Sequence, residues 1–198
     1  MDNYFEYGEK ELLHLKKKDK KLGAAIERIG MIRRKVNPDV FSSLTESIVG
    51  QQISSKAAAS VCKKLQDMTE MRPEKLHALS QEEIKACGMS MRKAGYIKGL
   101  AKHYVEKTVD FDNLKDKSDA QIIKTLTQIE GIGLWTVEML LIFTLARPNV
   151  VSFGDLAIRR GMMNLYGHKE INKERFLRYA KRYSPYGSVA SLYLWELS

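Results

Sequence analysis

An aspartate at the start of a predicted helix is the residue of this sequence best suited to do chemistry. The stretch 147–161 reads RPNVVSFGDLAIRRG and places Asp155 in the first turn of the helix that follows. The helix dipole and the free backbone amides of a first turn keep a carboxylate charged at neutral pH. Such a fixed anion suits a reaction in which positive charge develops on a sugar. The structural alternative is a capping box, in which Asp155 accepts a hydrogen bond from the backbone amide of Ser152.

A glycine-containing break lies upstream of this aspartate, in the stretch 118–146, SDAQIIKTLTQIEGIGLWTVEMLLIFTLA. A capped helix is predicted to extend as far as Ile129, and a nearly uninterrupted apolar helix follows the break. Gly131 and Gly133 allow backbone conformations that are closed to other residues, and they leave bare amides at the N-terminus of the second helix. Those amides can bind an anion such as a phosphate. An ordinary helical hairpin with a glycine C-cap is the alternative.

The elements that must position these residues are all predicted to be helices, so the fold class is all-α. Apolar residues recur at helical spacing, and only a brief extended piece near Val150-Val151 interrupts the pattern. The apolar helix after the break has one ionisable residue, Glu138, and is predicted to run through the core. Helix starts are marked by Asn37-Pro38-Asp39, by Ser54 or Ser55, by Ser90, and by the capping boxes Ser80 with Glu83 and Ser118 with Gln121.

Composition and charge narrow the class of protein. The 33 lysines and arginines exceed the 24 aspartates and glutamates, and the resulting charge of +9 favours a nucleic-acid partner over a merely solvated surface. Two cysteines, Cys62 and Cys87, are too few for a disulfide framework, a four-cysteine zinc site or a four-thiolate iron–sulfur cluster. The sequence has neither a membrane-length apolar stretch nor a signal peptide. We therefore expect no membrane partner and a cytoplasmic protein that resides with DNA, in the nucleus if the source is eukaryotic.

Four separated motifs together resemble the helix-hairpin-helix (HhH-GPD) DNA glycosylase superfamily. The superfamily signature is carried by LTQIEGIGLWTVEMLLIFTLARPNVVSFGDLAIRRG, which runs from a hairpin through a loop to the aspartate. The segments 43–65, SLTESIVGQQISSKAAASVCKKL, and 87–101, CGMSMRKAGYIKGLA, resemble its alkylbase branch, the DNA-3-methyladenine glycosylases. The segment 184–195, SPYGSVASLYLW, is similar to the end of proteins in that branch. The resemblance covers roughly residues 37 to 198.

The resemblance also implies an architecture of two helical lobes with an interlobe cleft that holds the aspartate. Turns at Val36-Asn37-Pro38 and Arg147-Pro148-Asn149 are the natural seams of the chain. Residues 1–36 and 147–198 are accordingly expected to form one lobe. Residues 37–146 are expected to form the other, with the helix-hairpin-helix at 118–146.

Asp155 matches the catalytic aspartate of the superfamily, which either activates water or stabilises an oxocarbenium-like sugar. An alkylated purine is already cationic and leaves without a general acid, so one carboxylate can suffice. In the endonuclease III-like branch, a lysine at the place of Trp135 attacks the sugar. This chain has no lysine there, so the resemblance implies a monofunctional enzyme without lyase activity.

Further residues receive roles from the same resemblance. Trp135 and Trp195 match aromatics of the base pocket, where cation–π attraction favours a cationic purine, and both could instead be core residues. Met139 stands where some relatives have a tyrosine, and it alters the shape of that pocket. Gln52 matches the side chain that fills the gap left by a flipped base, and a solvent-exposed glutamine at a helix end is the alternative.

Phosphate and cation binding complete the expected site. Gly131 and Gly133 would bind a phosphate through their amides, and Lys56, Arg159 and Arg160 are additional phosphate contacts or merely solvated cations. No cofactor is expected to be required. In relatives, a monovalent cation, Na⁺ or K⁺, is held by backbone carbonyls that match those of Thr127, Ile129 and Ile132.

The sequence therefore predicts a monomeric, monofunctional DNA glycosylase that excises alkylated purines of the 3-methyladenine type from double-stranded DNA. One alternative keeps this fold and acts on another damaged or mismatched base. The other is a non-catalytic helix-hairpin-helix protein that only binds DNA, and it gives no account of Asp155.

Overall fold

The computed structural model describes residues 3–198, which form twelve α-helices and one short 3-10 turn. The helices are α1 Glu9–Lys18, α2 Lys20–Ile29, α3 Val40–Gly50, α4 Ser55–Thr69, α5 Pro73–Ala78, α6 Gln81–Ala86, α7 Met91–Val105, α8 Asp119–Leu126, α9 Leu134–Phe143, α10 Leu156–Tyr166, α11 Lys173–Tyr183 and α12 Gly187–Glu196, with the 3-10 turn at Leu114–Asp116.

The prediction of an all-α chain is confirmed for this part of the sequence. Its one β-type pairing is an isolated antiparallel bridge between Tyr4 and Lys35. The extended residues Val150 and Val151 belong to a loop and pair with no strand. Among residues 3–198, no helix combines the length and the apolar character that crossing a membrane requires.

Side-chain caps begin the helices largely where the sequence predicts them. Ser54 and Ser90 cap α4 and α7 by accepting hydrogen bonds from the amides of Ala57 and Lys93. Both predicted capping boxes, at the starts of α6 and α8, are present. The prediction for α3 needs correction, because its cap is Asp39, which accepts from the Ser42 amide at 2.6 Å. Pro38 therefore precedes the cap instead of following it.

The chain divides into two compact units. One unit contains the segment that ends at Val36 together with Leu141–Ser198, and the other is Asn37–Leu140. The sequence analysis places the second boundary in the loop after residue 146, whereas the structure places it within α9. Since α9 is a continuous apolar helix, no break in composition marks this boundary. The expected interlobe cleft stays a prediction.

The central unit, Asn37–Leu140, is organised around α7. Helices α3, α5 and α6 all pack against α7, whose residues Ala94, Ile97, Leu100 and Ala101 are completely buried. These residues therefore form the core face of α7 for most of its length. Its last residue, Val105, is 40% exposed and lies beyond that core.

In the other unit, α10 and α12 pack closely, and α2 contacts both of them. Helix α12 is buried along nearly its whole length, from Gly187 to Leu194. A Cβ on Gly161 of α10 would lie 1.8 Å from the carbonyl oxygen of Leu194, so the two backbones can meet only because that residue is glycine. This close contact joins the middle of α10, the helix that follows Asp155, to the end of α12, which carries Trp195.

Candidate functional site

Asp155 is the N-cap residue of α10, one position before the first turn in which the sequence analysis placed it. Its backbone is extended, and its Oδ1 accepts a hydrogen bond from the amide of Ile158 at 2.9 Å. Only 8% of the residue is exposed. The structural interpretation of Asp155 as a capping residue is thus correct in part, with Ile158 as a donor to its carboxylate.

A second donor reaches the same carboxylate oxygen. The indole Nε1 of Trp195 in α12 donates a hydrogen bond to Oδ1 of Asp155 at 3.2 Å. Two donors from different helices fix the rotamer of the carboxylate. Trp195 therefore positions the carboxylate. Sequence reasoning missed this contact because 40 residues separate the two side chains.

The ring of Trp195 takes part in an aromatic and cationic cluster. Its centroid lies 5.3 Å from that of Phe143, with 32° between the ring planes. The guanidinium carbon of Arg34 lies 5.9 Å from the centroid of Trp195 and 5.5 Å from that of Phe143. These separations are in the range of cation–π attraction, so the cluster already holds one cation against its rings. The sequence analysis singled out neither Arg34 nor Phe143.

Helix α8, which leads into the hairpin before α9, is shorter than predicted. Helix α8 ends at Leu126, so Ile129, expected to be helical, lies in the turn that follows, although its side chain is buried. Gly131 has a φ of +87°, and a Cβ there would lie 2.4 Å from the ring of Tyr96. Both observations require glycine at position 131. Gly133, immediately before α9, is exposed, and a Cβ there would meet nothing within 4 Å.

A glutamine and a lysine connect the end of α3 to this hairpin. The side-chain amide of Gln51 donates a hydrogen bond to the carbonyl of Gly131 at 2.9 Å. The ammonium group of Lys93 donates to the carbonyl of Val49 at 2.8 Å and to that of Gln51. Burial, with a smaller contribution from the charge of Arg92, lowers the pKa of Lys93. Lys93 thus caps the last carbonyls of α3 and holds the turn that begins at Gln51.

Gln52 is presented by that turn. Gln52 lies outside α3, which ends at Gly50, and it is exposed to solvent. Its φ of +58° is uncommon for a residue with a side chain. A conformation of this kind persists only where its surroundings impose it, and the bonds of its neighbour Gln51 supply that constraint. Gln52 is thus an exposed residue just beyond a helix end, as the alternative states, and its role in filling the gap left by a flipped base stays a prediction.

The remaining predicted site residues are distributed over both units. Trp135, at the second position of α9, is 40% exposed, and Met139, one helical turn later, is 8% exposed. Lys56 and Arg160 are exposed. The guanidinium carbon of Arg159 lies 5.0 Å from the centroid of Phe153, and its buried Nε has no hydrogen-bond acceptor among the described residues.

Comparisons with known proteins bear on the whole arrangement. A sequence profile of the family described as "HhH-GPD superfamily base excision DNA repair protein" matches residues 45–185. The chain belongs to this superfamily. The matched segment contains Asp155 with its Ile158 donor and both glycines of the hairpin.

Among individual HhH-GPD proteins, DNA-3-methyladenine glycosylase 1 of Schizosaccharomyces pombe is 32% identical over 164 residues, which cover 80% of this chain and 72% of that protein. A crystal structure of DNA-3-methyladenine glycosidase from Bacillus halodurans superposes with a TM-score of 0.86 and 36% identity, over 98% of this chain and 91% of that one. The S. pombe 3-methyladenine DNA glycosylase Mag1, in complex with abasic DNA, superposes with a TM-score of 0.84 and 30% identity, over 95% and 96%. The prediction of the alkylbase branch is confirmed.

The carbonyls expected to hold a cation in this HhH-GPD chain lie in or next to the hairpin turn. Thr127 is the C-cap of α8, where the last carbonyls of a helix lack partners within the helix. The carbonyl of Ile129 accepts a hydrogen bond from the amide of Ile132 at 3.1 Å, which leaves its second lone pair for another partner. Oxygen donors of this kind suit a hard monovalent cation.

Proposed function

We propose that this protein is a monofunctional DNA glycosylase that excises alkylated purines of the 3-methyladenine type from double-stranded DNA, as a monomer. The observation that carries the proposal is the geometry of Asp155. It is a nearly buried carboxylate at the N-cap of α10 whose Oδ1 accepts from the Ile158 amide and from the Trp195 indole. Capping α10 needs only the bond from the Ile158 amide, whereas the second bond, from Trp195, fixes the orientation of the carboxylate as a chemical role requires.

The proposed role of Asp155 is to stabilise positive charge on the sugar as the glycosidic bond breaks, or to activate the attacking water. Breaking this bond generates an oxocarbenium-like sugar, as in glycoside hydrolysis. A fixed anion in a site with little water stabilises that charge strongly, because little reorganisation is needed during the reaction. A purine that is cationic through alkylation departs as a neutral base, so the reaction needs no proton from the protein at the leaving group.

The remaining residues would hold the DNA and the flipped base. Gln52, on its strained turn, would fill the space that the base vacates, and the amides at Gly131 and Gly133 would bind the backbone phosphate. Trp135, Met139 and Trp195 would each contact the flipped base, and Trp195 would also orient Asp155. The exposed Lys56 and Arg160 and the partly exposed Arg159 would contact further phosphates.

The absence of lyase activity is part of the proposal. A glycosylase that also cleaves the strand forms a Schiff base between an amine of the protein and the sugar. Trp135 occupies the position where related bifunctional enzymes have the lysine, and an indole nitrogen cannot form that bond. The product is therefore expected to be an intact strand with an abasic site.

A monovalent cation is the one additional group that the proposal includes. The carbonyls of Thr127, Ile129 and Ile132 would hold Na⁺ or K⁺ when DNA is bound. The cation would supply positive charge next to a DNA phosphate. No other cofactor is proposed.

The test is release of bases from methylated duplex DNA, with the free bases separated by chromatography and the strands examined on a denaturing gel. We expect free methylated purines, intact strands, and breaks only after alkali converts the abasic sites. Binding of the duplex without base release would refute the proposed activity on alkylated purines. Strand breaks without alkali would refute the monofunctional assignment, and the ratio of released bases would identify the preferred lesion.

A further inference from the structure

A concave basic site lies in the unit formed by the two ends of the chain, apart from every residue assigned above. Its volume is about 330 Å³, and its cations are Lys18, Lys20, Lys21 and Arg182. They come from the end of α1, the start of α2 and the end of α11. The only carboxylate that lines this site is that of Asp19, between α1 and α2.

The charge of Asp19 is used within the fold, where it pairs with Arg182 and with no other cation of this site. Its side chain is 3% exposed. It accepts hydrogen bonds from the amides of Lys21 and Leu22, from the hydroxyl of Tyr166 and from Nη1 of Arg182. These bonds also occupy the amides of Lys21 and Leu22, the second and third residues of α2. Among residues 3–198, Lys18 and Lys20 form no ion pair and direct their charge to solvent.

Helix α11 extends this basic site along its own length. Arg175, Arg178 and Arg182 recur at positions i, i+3 and i+7, so they share one face of the helix, and all three are exposed. The row is about 10 Å long at the rise of an α-helix. Its base is rigid, because the ring of Tyr179 stacks on that of Tyr166 at 3.7 Å with 8° between the planes. We call these three arginines with Lys18, Lys20 and Lys21 the basic face.

The basic face and Asp155 lie at opposite ends of one helix. Asp155 caps the N-terminus of α10, and Tyr166, which bonds to Asp19, is its last residue. The 11 residues of α10 span about 16 Å at 1.5 Å per residue. The two places are separated by this length, so a nucleotide held at Asp155 need not cover the basic face.

We propose that the basic face binds the phosphate backbone of a second segment of duplex DNA while the first segment occupies the lesion site. The inference rests on the proposed function only in that the chain binds DNA. Exposed arginines and lysines that are not neutralised by neighbouring acids attract phosphodiesters through release of counterions. A row of cations on a rigid helix fits a regular row of phosphates. The consequence is direct transfer of the protein from one duplex to another, without a free intermediate.

The experiment measures dissociation from a fluorescently labelled, lesion-free duplex when increasing concentrations of unlabelled duplex are added. Direct transfer makes the observed rate rise with competitor concentration, whereas simple dissociation gives a constant rate. The test variant is Lys18→Gln/Lys20→Gln/Arg178→Gln, because none of these side chains bonds within the described fold. The matched control, Lys63→Gln/Lys64→Gln/Lys85→Gln, removes the same charge from exposed positions of α4 and α6.

We expect the dissociation rate to rise with competitor concentration for the wild-type protein and for the control variant. For the test variant, the dissociation rate should be nearly independent of competitor concentration. For binding of the second duplex segment, the slope of log affinity against log salt concentration should fall in magnitude by about 1 for each phosphate contact that the variant loses. A flat rate for the wild-type protein, or equal dependence in the test and control variants, would overturn the proposal. Equal dependence in the two variants would instead favour an acidic protein as the partner of the basic face. Single-turnover base release should be equal in the test and control variants, so failure of the proposed enzymatic function is detected separately.

Discussion

Replacing Asp155 by asparagine or by alanine separates the part this residue plays in folding from the part we propose for it in chemistry. Asparagine is as good an N-cap as aspartate, and its side-chain oxygen can accept from both Ile158 and Trp195. Asp155→Asn therefore keeps the cap and removes the charge. Asp155→Ala removes both, and it leaves the partly buried indole N–H of Trp195 without this acceptor.

The two substitutions should lower the stability of the protein by measurably different amounts. Loss of an N-cap costs about 1 kcal/mol, and a partly buried donor left without its acceptor costs about 1–2 kcal/mol more. Asp155→Ala should thus destabilise the protein by about 2–3 kcal/mol, which lowers the Tm by about 4–12 °C for a chain of this size. Asp155→Asn should cost less than about 1 kcal/mol, the difference between charged and neutral hydrogen bonds.

The rates should follow a different order from the stabilities. Removing a single preorganised electrostatic group costs a factor of about 100–1,000 in rate, so both variants should release methylated purines at least about 100-fold more slowly than the wild-type protein. Single-turnover kinetics on methylated duplex, fluorescence anisotropy with DNA and thermal unfolding together make the comparison. Near-normal base release by the asparagine variant would leave Asp155 with a capping role alone and would refute the chemical argument. Equal destabilisation by both variants would refute the capping argument.

Four other substitutions test the elements around the site. Gly131→Ala should destabilise the protein by about 2–4 kcal/mol in denaturant unfolding, through its left-handed backbone and overlap with the neighbouring tyrosine ring. Gly133→Ala, at an open position, should change stability by less than about 0.5 kcal/mol while weakening DNA affinity. A loss of stability as large as that of Gly131→Ala would contradict the conclusion that only position 131 requires glycine. Lys93→Met should cost about 1–2 kcal/mol and slow base release, and release at the wild-type rate would show that the turn needs no support from Lys93. Trp195→Phe should slow base release by about tenfold, the equivalent of one hydrogen bond to a charged group, and an unchanged rate would mean that the indole does not orient Asp155.

Local interactions made much of the fold predictable. The caps at Ser54, Ser90 and Ser118 are formed by residues within three positions of each other, so sequence spacing alone specifies them. The same holds for the glycine at position 131, whose positive φ is a property of the turn. The sequence analysis extends α8 too far, to Ile129. An apolar residue at helical spacing fits a buried position in the turn after a helix as well as one in the helix itself.

The contacts that support the candidate site could not be predicted in this way. Trp195 and Asp155 are 40 residues apart, and Lys93 reaches carbonyls 42 and 44 residues away. The amide of Gln51 finds an acceptor 80 residues along the chain, at Gly131. Each of these bonds exists only after helices from distant parts of the sequence have packed. Residue types and spacing therefore identified Asp155 and the hairpin, and tertiary packing supplies the partners that hold them.

Two helix N-termini of this protein, each described within its own unit, suit charges of opposite sign. Before α9 stands Gly133, which has no side chain and is open to solvent, so an anion from outside the protein can approach this helix end. Before α10 stands Asp155, whose own carboxylate already accepts from the helix amide of Ile158. A phosphate would be repelled from the second terminus, whereas a developing cation would be stabilised there. The proposed substrate has both features, because a nucleotide combines an anionic backbone with a sugar that becomes positive as the base leaves.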